Sequence, residues 1–429
     1  MTVKLGLVGT GTVGGGCIEI IKKHSAEFKR HYGIEIELVA VCSRNPEQAL
    51  EHNVEDIFTQ DYKEVVNNPD VDIIIELIGG TTIARNVVVD ALNAGKNVVT
   101  ANKALMATHG EEVMNLAAEK GKELAFEASV GGGIPIIDPL KHSLIANEIS
   151  SVMGIVNGTT NYMLSRMADD GMSYDEALRE AQAKGFAEAD PTADVDGLDA
   201  AAKIAILASI CFNSRVTLDD VPAEGIRNIT PIDLTNAADM GYCVKLLAHA
   251  HRKAEGIDVR VHPTMLPLSH PLATVNGVFN AIYAVGDAVG ETMFFGEGAG
   301  SGPAASAVMG DVLEVARHVQ AGIAPLVSCT CTDTLPLVPM EELKTKYYLR
   351  FAVADRSGVL ASTAEVFARH GVSVYSVVQR GKKDSGSVDL LYVTHTAKER
   401  NIRAVLTDIA ELDGVLIENS EPSVIRVQD

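Results

Sequence analysis

The first fourteen residues narrow the available folds more than any other part of the chain. The apolar run at residues 3–8 leads directly into Gly9-Thr10-Gly11-Thr12-Val13-Gly14, and an amphipathic stretch follows over residues 17–30. A strand that ends in G-x-G-x-x-G and opens a helix is suited to a dinucleotide. The first glycine allows the tight turn, the second lets backbone approach a pyrophosphate, and the third lets helix and strand pack closely. The phosphates then rest on the positive end of the helix. A purely structural βα turn would carry similar glycines, but strand before and helix after favour the binding reading.

The same rhythm continues through the first third. Residues 36–42, 71–78, 97–100 and 124–128 read as strands, with helical stretches such as 111–119 between them. Most of these strands are apolar almost throughout, as when helices cover both faces of a parallel sheet. The pattern predicts a Rossmann-type, doubly wound α/β domain over residues 1–135. Beyond Gly131-Gly132-Gly133 and Pro135 the pattern becomes α+β, and residues 136–302 are expected to form a catalytic and dimerisation domain. Helices are expected at 161–169, 173–184 and 198–210, and strands at 259–263, 273–278, 281–285 and 291–295. A strong helical pattern at 303–320 is expected to pack back on the first domain. Residues 321–345, with Pro325, Pro336 and Pro339, read as a linker.

From residue 346 to 429 the order is strand 347–354, helix 359–370, strand 372–380, turn 381–386, strand 387–394, helix 397–412 and strand 415–427. This βαββαβ order is the ferredoxin-like arrangement.

Charge excludes several partners. The chain has 36 Lys+Arg against 57 Asp+Glu, a net −21 with neutral His, and no basic block. Nucleic acid and anionic membrane are therefore not expected partners. No apolar run reaches the length of a membrane span. Met1 runs straight into the first strand, leaving no room for a signal peptide. The six cysteines form no C-x-x-C pair and mostly sit in apolar runs. They read as reduced thiols of a cytoplasmic protein.

Three sites carry candidate chemistry. An acidic residue ending the second strand would select NAD by bonding the ribose hydroxyl. Here the segment is Val41-Cys42-Ser43-Arg44, and Arg44 stands where a guanidinium can meet a 2′-phosphate. NADP(H) is thus preferred and NAD(H) is the alternative; a plain surface arginine is the bland reading. In the middle domain, residues 184–199 carry the acids Glu188, Asp190, Asp194, Asp196 and Asp199 ahead of an apolar helix. Lys203 lies four residues after Asp199, on the same helical face. An ordinary ion pair on a solvated loop would look similar. The apolar residues after Lys203 place it beside a core, where a lysine between carboxylates can move a proton to or from a substrate oxygen. The excess carboxylate suits a cationic group such as an ammonium. Lys103 follows the strand 97–100, at the end where open α/β sheets bind ligands. A lone loop lysine is otherwise a surface residue. No serine-triad, H-E-x-x-H or Walker-lysine pattern occurs, and no histidines have metal-ligand spacing.

Several motifs together resemble the homoserine dehydrogenase family over essentially the whole chain. They are residues 9–14, Ala101-Asn102-Lys103, residues 127–135 (EASVGGGIP), Asn157-Gly158-Thr159-Thr160-Asn161-Tyr162, residues 185–203 and the glycine-rich 296–302. The run 185–203 is the most family-specific of these. The resemblance implies interconversion of L-homoserine and L-aspartate 4-semialdehyde with NAD(P)(H), on the route to threonine, methionine and isoleucine.

By position, the resemblance makes Lys203 the acid/base, with Glu188, Asp194 and Asp199 holding the substrate or organising the lysine. Lys103 would steer substrate or cofactor. Thr10, Gly11, Thr12, Val13, Gly14, Arg44, Gly185 and Gly300 would line the cofactor. Glu127, Val130, Gly132 and Ile134 would form a sodium-like monovalent-cation site, built largely from backbone carbonyls. A glycine-rich loop can turn carbonyls inward in this way, or it can simply make a tight strand exit.

The C-terminal module resembles an ACT domain, with Asp355-Arg356-Ser357-Gly358-Val359-Leu360 as its strand-to-helix turn. Such modules pair side by side and bind small amino acids, so feedback control by an amino acid, threonine first, is expected, in a homodimer or homotetramer. A passive pairing module is the simpler reading. Two rivals differ in class. A phosphorylating semialdehyde dehydrogenase would need Cys211 as nucleophile, yet that residue lies in an apolar helix. A non-catalytic sensor of dinucleotide and amino acid would leave the Glu188–Lys203 constellation without a role.

Overall fold

In the computed structural model, residues 1–325, 329–381, 386–418 and 420–428 are described. The N-terminal part is built on six parallel strands, β1 (Val3–Val8), β2 (Ile36–Cys42), β3 (Phe58–Thr59), β4 (Ile73–Glu76), β5 (Asn97–Thr100) and β6 (Leu124–Ala125). Their spatial order is β3-β2-β1-β4-β5-β6, the doubly wound order whose carboxyl ends open onto a ligand crevice. Helix α1 (Thr12–Glu27) follows β1, and α2 (Lys103–Lys120) follows β5. All four residues of β4 are buried, because helices cover both faces of the sheet.

The central part contains α3 (Ile137–Lys141), β7 (Ile149–Ile155), α4 (Gly158–Asp170), α5 (Leu198–Phe212), α6 (Pro231–Asp239), β8 (Tyr242–Lys253), β9 (Gly256–Pro267), β10 (Phe279–Gly286), β11 (Gly290–Glu297) and α7 (Ser301–Ala321). Helix α5 is buried along nearly its whole length and packs on β7, β8 and β9. Helix α7 returns to the first sheet. Ala305, Val308, Met309 and Val312 join the core formed by Val3, Leu5 and Ile18, and a side chain at Gly16 would strike Ser301 and Ala305 of α7.

Strands β7 and β8 are not anticipated by the sequence pattern. Tyr242–Lys253 is rich in Leu, Ala, Lys and His and is covered over much of its length, so it shows no clean two-residue alternation. The strand expected over 273–278 does not form. Pro271–Thr274 makes a short 3-10 turn started by proline and capped by the His270 ring, and the strand begins at Phe279.

The C-terminal part comprises β12 (Lys344–Ala354), α8 (Val359–Arg369), β13 (Val374–Arg380), β14 (Ser387–Thr394), β15 (Ala397–Lys398), α9 (Glu399–Ala410) and β16 (Ser423–Val427). The expected strand over 415–427 is confined to β16; Leu416 makes a single bridge to Val353, and Pro422 precedes the strand. The expected turn 381–386 has positions 382–385 outside the described residues, and the expected linker likewise has 326–328 outside them. The rest of that linker is packed, with the Asp333 N–H donating to the Asn213 carbonyl at 2.9 Å and the Val338 N–H to Ile257 at 2.8 Å.

Strand β16 pairs in parallel with β9 at Arg426–Thr264 and Val427–Met265, and antiparallel with β12. The central and C-terminal sheets are therefore one, in the order β11-β10-β7-β8-β9-β16-β12-β14-β13, with β15 beside β12. Among the described residues, no helix is long and apolar enough to cross a membrane.

Candidate active site

The glycine turn behaves as its spacing predicts. Gly9 has φ +107°, and a Cβ there would sit 2.7 Å from the Leu77 backbone. A Cβ at Gly14 would lie 2.0 Å from the Gly9 carbonyl oxygen, while Gly11 faces open space. Gly11 caps α1 with no side-chain hydrogen bond, and the first turn, with Thr12 and Val13, holds no acid. Its N–H groups are thus free for an anion.

A cleft of about 710 Å³ opens there, lined by Gly9, Thr10, Gly11, Ser43, Arg44 and Gln48 among others. Among the described residues no carboxylate lines it, and Arg44 is exposed at its rim. The Thr10 and Ser43 hydroxyls both donate to Gln48 Oε1 at 2.7 Å, tying the glycine turn to the end of β2. These features fit a dinucleotide.

The glycine-rich stretch before α7 meets the same region. Gly300 (φ +124°) caps α7, and the Ser301 hydroxyl donates to the Thr12 carbonyl at 2.8 Å. Behind it, residues 131–134 turn sharply, with Gly131 at φ +73° and Gly132 at φ +58°. Gly132 lies so close that a Cβ would come 2.4 Å from the Gly298 carbonyl oxygen. Glu127, Val130, Gly132 and Ile134 are all buried in this loop. The Glu127 carboxylate is occupied by the N–H groups of Ile136, Ile137 and Asp138, at 2.6, 2.9 and 2.6 Å. The Glu127 backbone carbonyl accepts the Val130 N–H at 3.3 Å.

Lys103, Asp199 and Lys203 meet at one point. Lys103 opens α2, directly after Asn102, whose side chain accepts from the Leu105 N–H at 3.0 Å and donates to the Gly80 carbonyl at 2.7 Å. The Thr100 hydroxyl donates to buried Glu76 at 2.7 Å, which ties the carboxyl ends of β4 and β5 together. From this braced position Lys103 Nζ reaches Asp199 Oδ1 at 2.5 Å. Lys203 Nζ lies 2.8 Å from Asp199 Oδ2 and 2.6 Å from the Val156 carbonyl oxygen. One carboxylate bridges two ammonium groups. The Lys103 side chain is 45 % exposed whereas that of Lys203 is 10 % exposed, so the first is open to solvent and the second is buried.

Burial pushes the Lys203 ammonium below its ordinary pKa, although Asp199 pulls the other way. Burial also tends to raise Asp199, but Lys203 and Lys103 outweigh it and hold the carboxylate ionised. Burial disfavours the Lys103 charge as well, yet Asp199, Asp194 and Glu188 together raise its pKa.

Two residues of the site carry no role in the sequence reading. Asn157 Nδ2 donates to both Asp194 Oδ1 (2.7 Å) and Asp199 Oδ2 (2.8 Å). The Thr159 hydroxyl contacts Asp194 Oδ2 at 3.1 Å and the Phe186 carbonyl at 2.6 Å. Asn157 also caps α4 through the Thr160 N–H. An Asn before Gly-Thr-Thr is legible as a helix cap, but its second task appears only when α4 and α5 are placed side by side. Glu188 is exposed beside these groups, and Gly185 turns the chain at φ +75° after the helix Tyr174–Ala183.

The doubly wound sheet, its glycine turn and the lysine–carboxylate cluster at the crevice define a nucleotide-dependent oxidoreductase with an appended ferredoxin-like module. Family models agree in sequence order. "Homoserine dehydrogenase, NAD binding domain" matches residues 9–127, "Homoserine dehydrogenase" matches 135–313, and "ACT domain" matches 347–414. A homoserine dehydrogenase of Synechocystis is 45% identical over 436 residues, covering 100% of both chains. That of Corynebacterium glutamicum is 45% identical over 406 residues, covering 93% of this chain and 90% of its own. The crystal structure of a homoserine dehydrogenase from Thiobacillus denitrificans superposes with a TM-score of 0.94 at 40% identity, over 100% of this chain and 99% of its own. A hyperthermophilic archaeal homoserine dehydrogenase, solved in complex with NADPH, gives a TM-score of 0.63 at 28% identity, covering 73% of this chain and 98% of its own. The chain belongs to the homoserine dehydrogenase family and carries a C-terminal ACT domain.

Proposed function

We propose that this chain interconverts L-homoserine and L-aspartate 4-semialdehyde with NADP(H) preferred, in the cytoplasmic synthesis of threonine, methionine and isoleucine. The observation that carries this reading is the single carboxylate, Asp199, shared by Lys103 and Lys203 at the mouth of the dinucleotide sheet. When bound, the nicotinamide supplies the hydride or takes it up.

The remaining work falls to side chains. Lys203 Nζ spends two of its three N–H bonds on Asp199 and Val156. The third is available to a substrate oxygen, donating a proton as charge grows there in reduction and recovering it in oxidation. Lys103 orients the substrate from the open side. Glu188 and Asp194 receive the substrate ammonium, with Asp194 held in place by Asn157 and Thr159. Thr10, Gly11, Thr12, Val13, Gly14, Gly185 and Gly300 hold the cofactor, and Arg44 meets its 2′-phosphate. The absence of carboxylates from the described cleft lining supports NADP, as does the NADPH carried by the archaeal relative. A sodium-like cation held by carbonyls of Glu127, Val130, Gly132 and Ile134 would brace the loop against Gly298.

The ACT module is proposed to bind an amino-acid effector, threonine first, and to pair with a second copy in a homodimer or homotetramer. The test is a spectrophotometric assay of homoserine-dependent NADP reduction at high pH. We expect activity in the intact chain and a loss of at least about 100-fold in kcat for Lys203→Ala, with KM little changed. Activity within a few-fold of the parent chain would reject Lys203 as the proton carrier.

A further inference from the structure

Of the six cysteines, Cys17, Cys42 and Cys211 are buried and Cys243 is largely covered. Burial pushes the thiols of Cys17 and Cys211 up to about 12 and that of Cys42 up to about 11, and it raises Cys243 as well. All four are inert apolar fillers. Cys329 and Cys331 differ in kind. They lie one residue apart in the packed connector that follows α7, in a small cavity of about 30 Å³, enough for one or two water-sized molecules.

Cys329 Sγ accepts an N–H from Arg215 Nη2 at 3.0 Å. The Cys331 thiol donates to the Ser209 carbonyl at 3.5 Å, and the two cysteines line the same cavity. Cys331 is the centre of a tight turn closed by the Thr332 N–H and the Thr330 carbonyl at 2.8 Å. Lys141, whose ammonium lies 5.5 Å from the Phe126 ring centre, lines the same cavity. The charged and titratable groups facing Cys329 are thus Arg215, Lys141 and Cys331. Cys331 and the Arg215 guanidinium hold the Cys329 thiol below its ordinary range against the effect of burial, while the Cys331 thiol is raised as the proton-holding partner.

We propose that Cys329 and Cys331 form a peroxide-reactive dithiol, with Cys329 as the attacking thiolate, Cys331 as the resolving thiol and small hydroperoxides as the co-reactant. The Cys329 sulfur attacks the hydroperoxide; an S–O bond forms and the O–O bond breaks. Sulfur is oxidised by two electrons to a sulfenic acid, and the departing alkoxide or hydroxide takes a proton from solvent. The Cys331 sulfur then attacks that of Cys329. The S–S bond forms, the S–O bond breaks, and the hydroxyl leaves as water with the Cys331 proton. The cavity walls include Met106 and Met114 of α2 and Ile206, Ser209 and Ile210 of α5. The modification site therefore lies against the two helices that carry Lys103 and Lys203, and it stands independently of the reading of those lysines.

The test uses the full chain treated with stoichiometric hydrogen peroxide at about pH 6, where only a strongly depressed thiol is ionised. Titratable thiols should fall from six to four. The peptide holding both residues should lose about 2 Da, as one disulfide requires. Cys331→Ser should leave a dimedone-trappable sulfenic acid on Cys329, and Cys329→Ser should abolish the reaction. At the same pH, iodoacetamide should label Cys329 at least about ten-fold faster than Cys243. Arg215→Lys should retain most of that rate. Equal labelling of Cys329 and Cys243 in the unaltered chain, or oxidation spread over all six thiols, overturns the proposal.

Discussion

Asp199 sets the electrostatic state of the site because both lysines depend on it. Replacing it with Asn leaves two buried or half-buried ammonium groups facing each other across a neutral amide. Asp199 raises the Lys203 value against the lowering effect of burial; without it, Lys203 should lose its proton at lower pH. Homoserine oxidation needs Lys203 neutral to accept a proton, so the rising limb of kcat/KM against pH should shift toward lower pH in Asp199→Asn, with kcat reduced at every pH. For stability, both groups act in the same direction, since acid destabilises the fold through each of them. The folded-state value of Asp199 is depressed, so its stabilisation is complete above the unfolded value near about 4 and is lost as pH falls through the lower folded value. In Lys203 the folded value is also depressed, and the unfolded chain binds the extra proton between that value and about 10.4, so its penalty fades as pH rises through this window. Arg44 provides a separate residue-scale test. Charge-assisted hydrogen bonds contribute about 1.5–3 kcal/mol. Arg44→Asp should therefore lower the NADP-to-NAD ratio of kcat/KM by at least about ten-fold, and an unchanged ratio would sink the assignment.

Elements position these residues through their ends. Lys103, Asn157, Asp199 and Gly300 all stand at or beside the first turn of a helix, where backbone and side chains converge on one crevice. Much of this was legible. The glycine turn, the strand rhythm of the first sheet and the i,i+4 relation of Asp199 and Lys203 are local patterns, set by backbone sterics and helical periodicity. The double duty of Asn157 was not legible, because its partners Asp194 and Asp199 lie 37 and 42 residues away. The loop at 131–134 makes an element-scale prediction. Gly132 has φ +58° and no room for a Cβ against Gly298. Gly132→Ala should cost about 2 kcal/mol or more, from the left-handed backbone and the collision together. Thermal unfolding would show this as a Tm lowered by several degrees, with KM for the cofactor raised because Gly298 and Gly300 share the loop.

At the scale of the whole molecule, the ACT module is joined to the central domain by sheet pairing and by buried ions. Arg350 of β12 meets Asp233 of α6 at 2.7 and 3.1 Å, and the Tyr348 hydroxyl touches Asp233 at 3.1 Å. Arg426 of β16 holds Glu399 at 3.0 and 2.7 Å and Glu224 at 2.7 Å. Helix α6 packs on α4, which carries the positioning residue Thr159 and is capped by Asn157. A signal from the module therefore has a contiguous packed route to Asp199. Threonine should inhibit the intact chain, and Arg350→Met should weaken that response while leaving the uninhibited kcat within a few-fold. Threonine titrations of both proteins check this, and identical curves would show that the Asp233 contact does not carry the effect. A chain ending near residue 340 should not respond at all, and it should also unfold more readily because β9 loses its neighbour. The division between sequence and structure follows from the range of the forces involved. The dinucleotide sheet, the order of the C-terminal module and the lysine–carboxylate pair are readable from the chain alone, because each is written in neighbours a few residues apart. That one carboxylate serves two lysines, that Asn157 ties two acids together, that Cys329 meets Arg215, and that the central and ACT sheets are continuous emerges only from the packed fold. Each of those depends on packing between residues distant in the chain, where no local spacing records the contact.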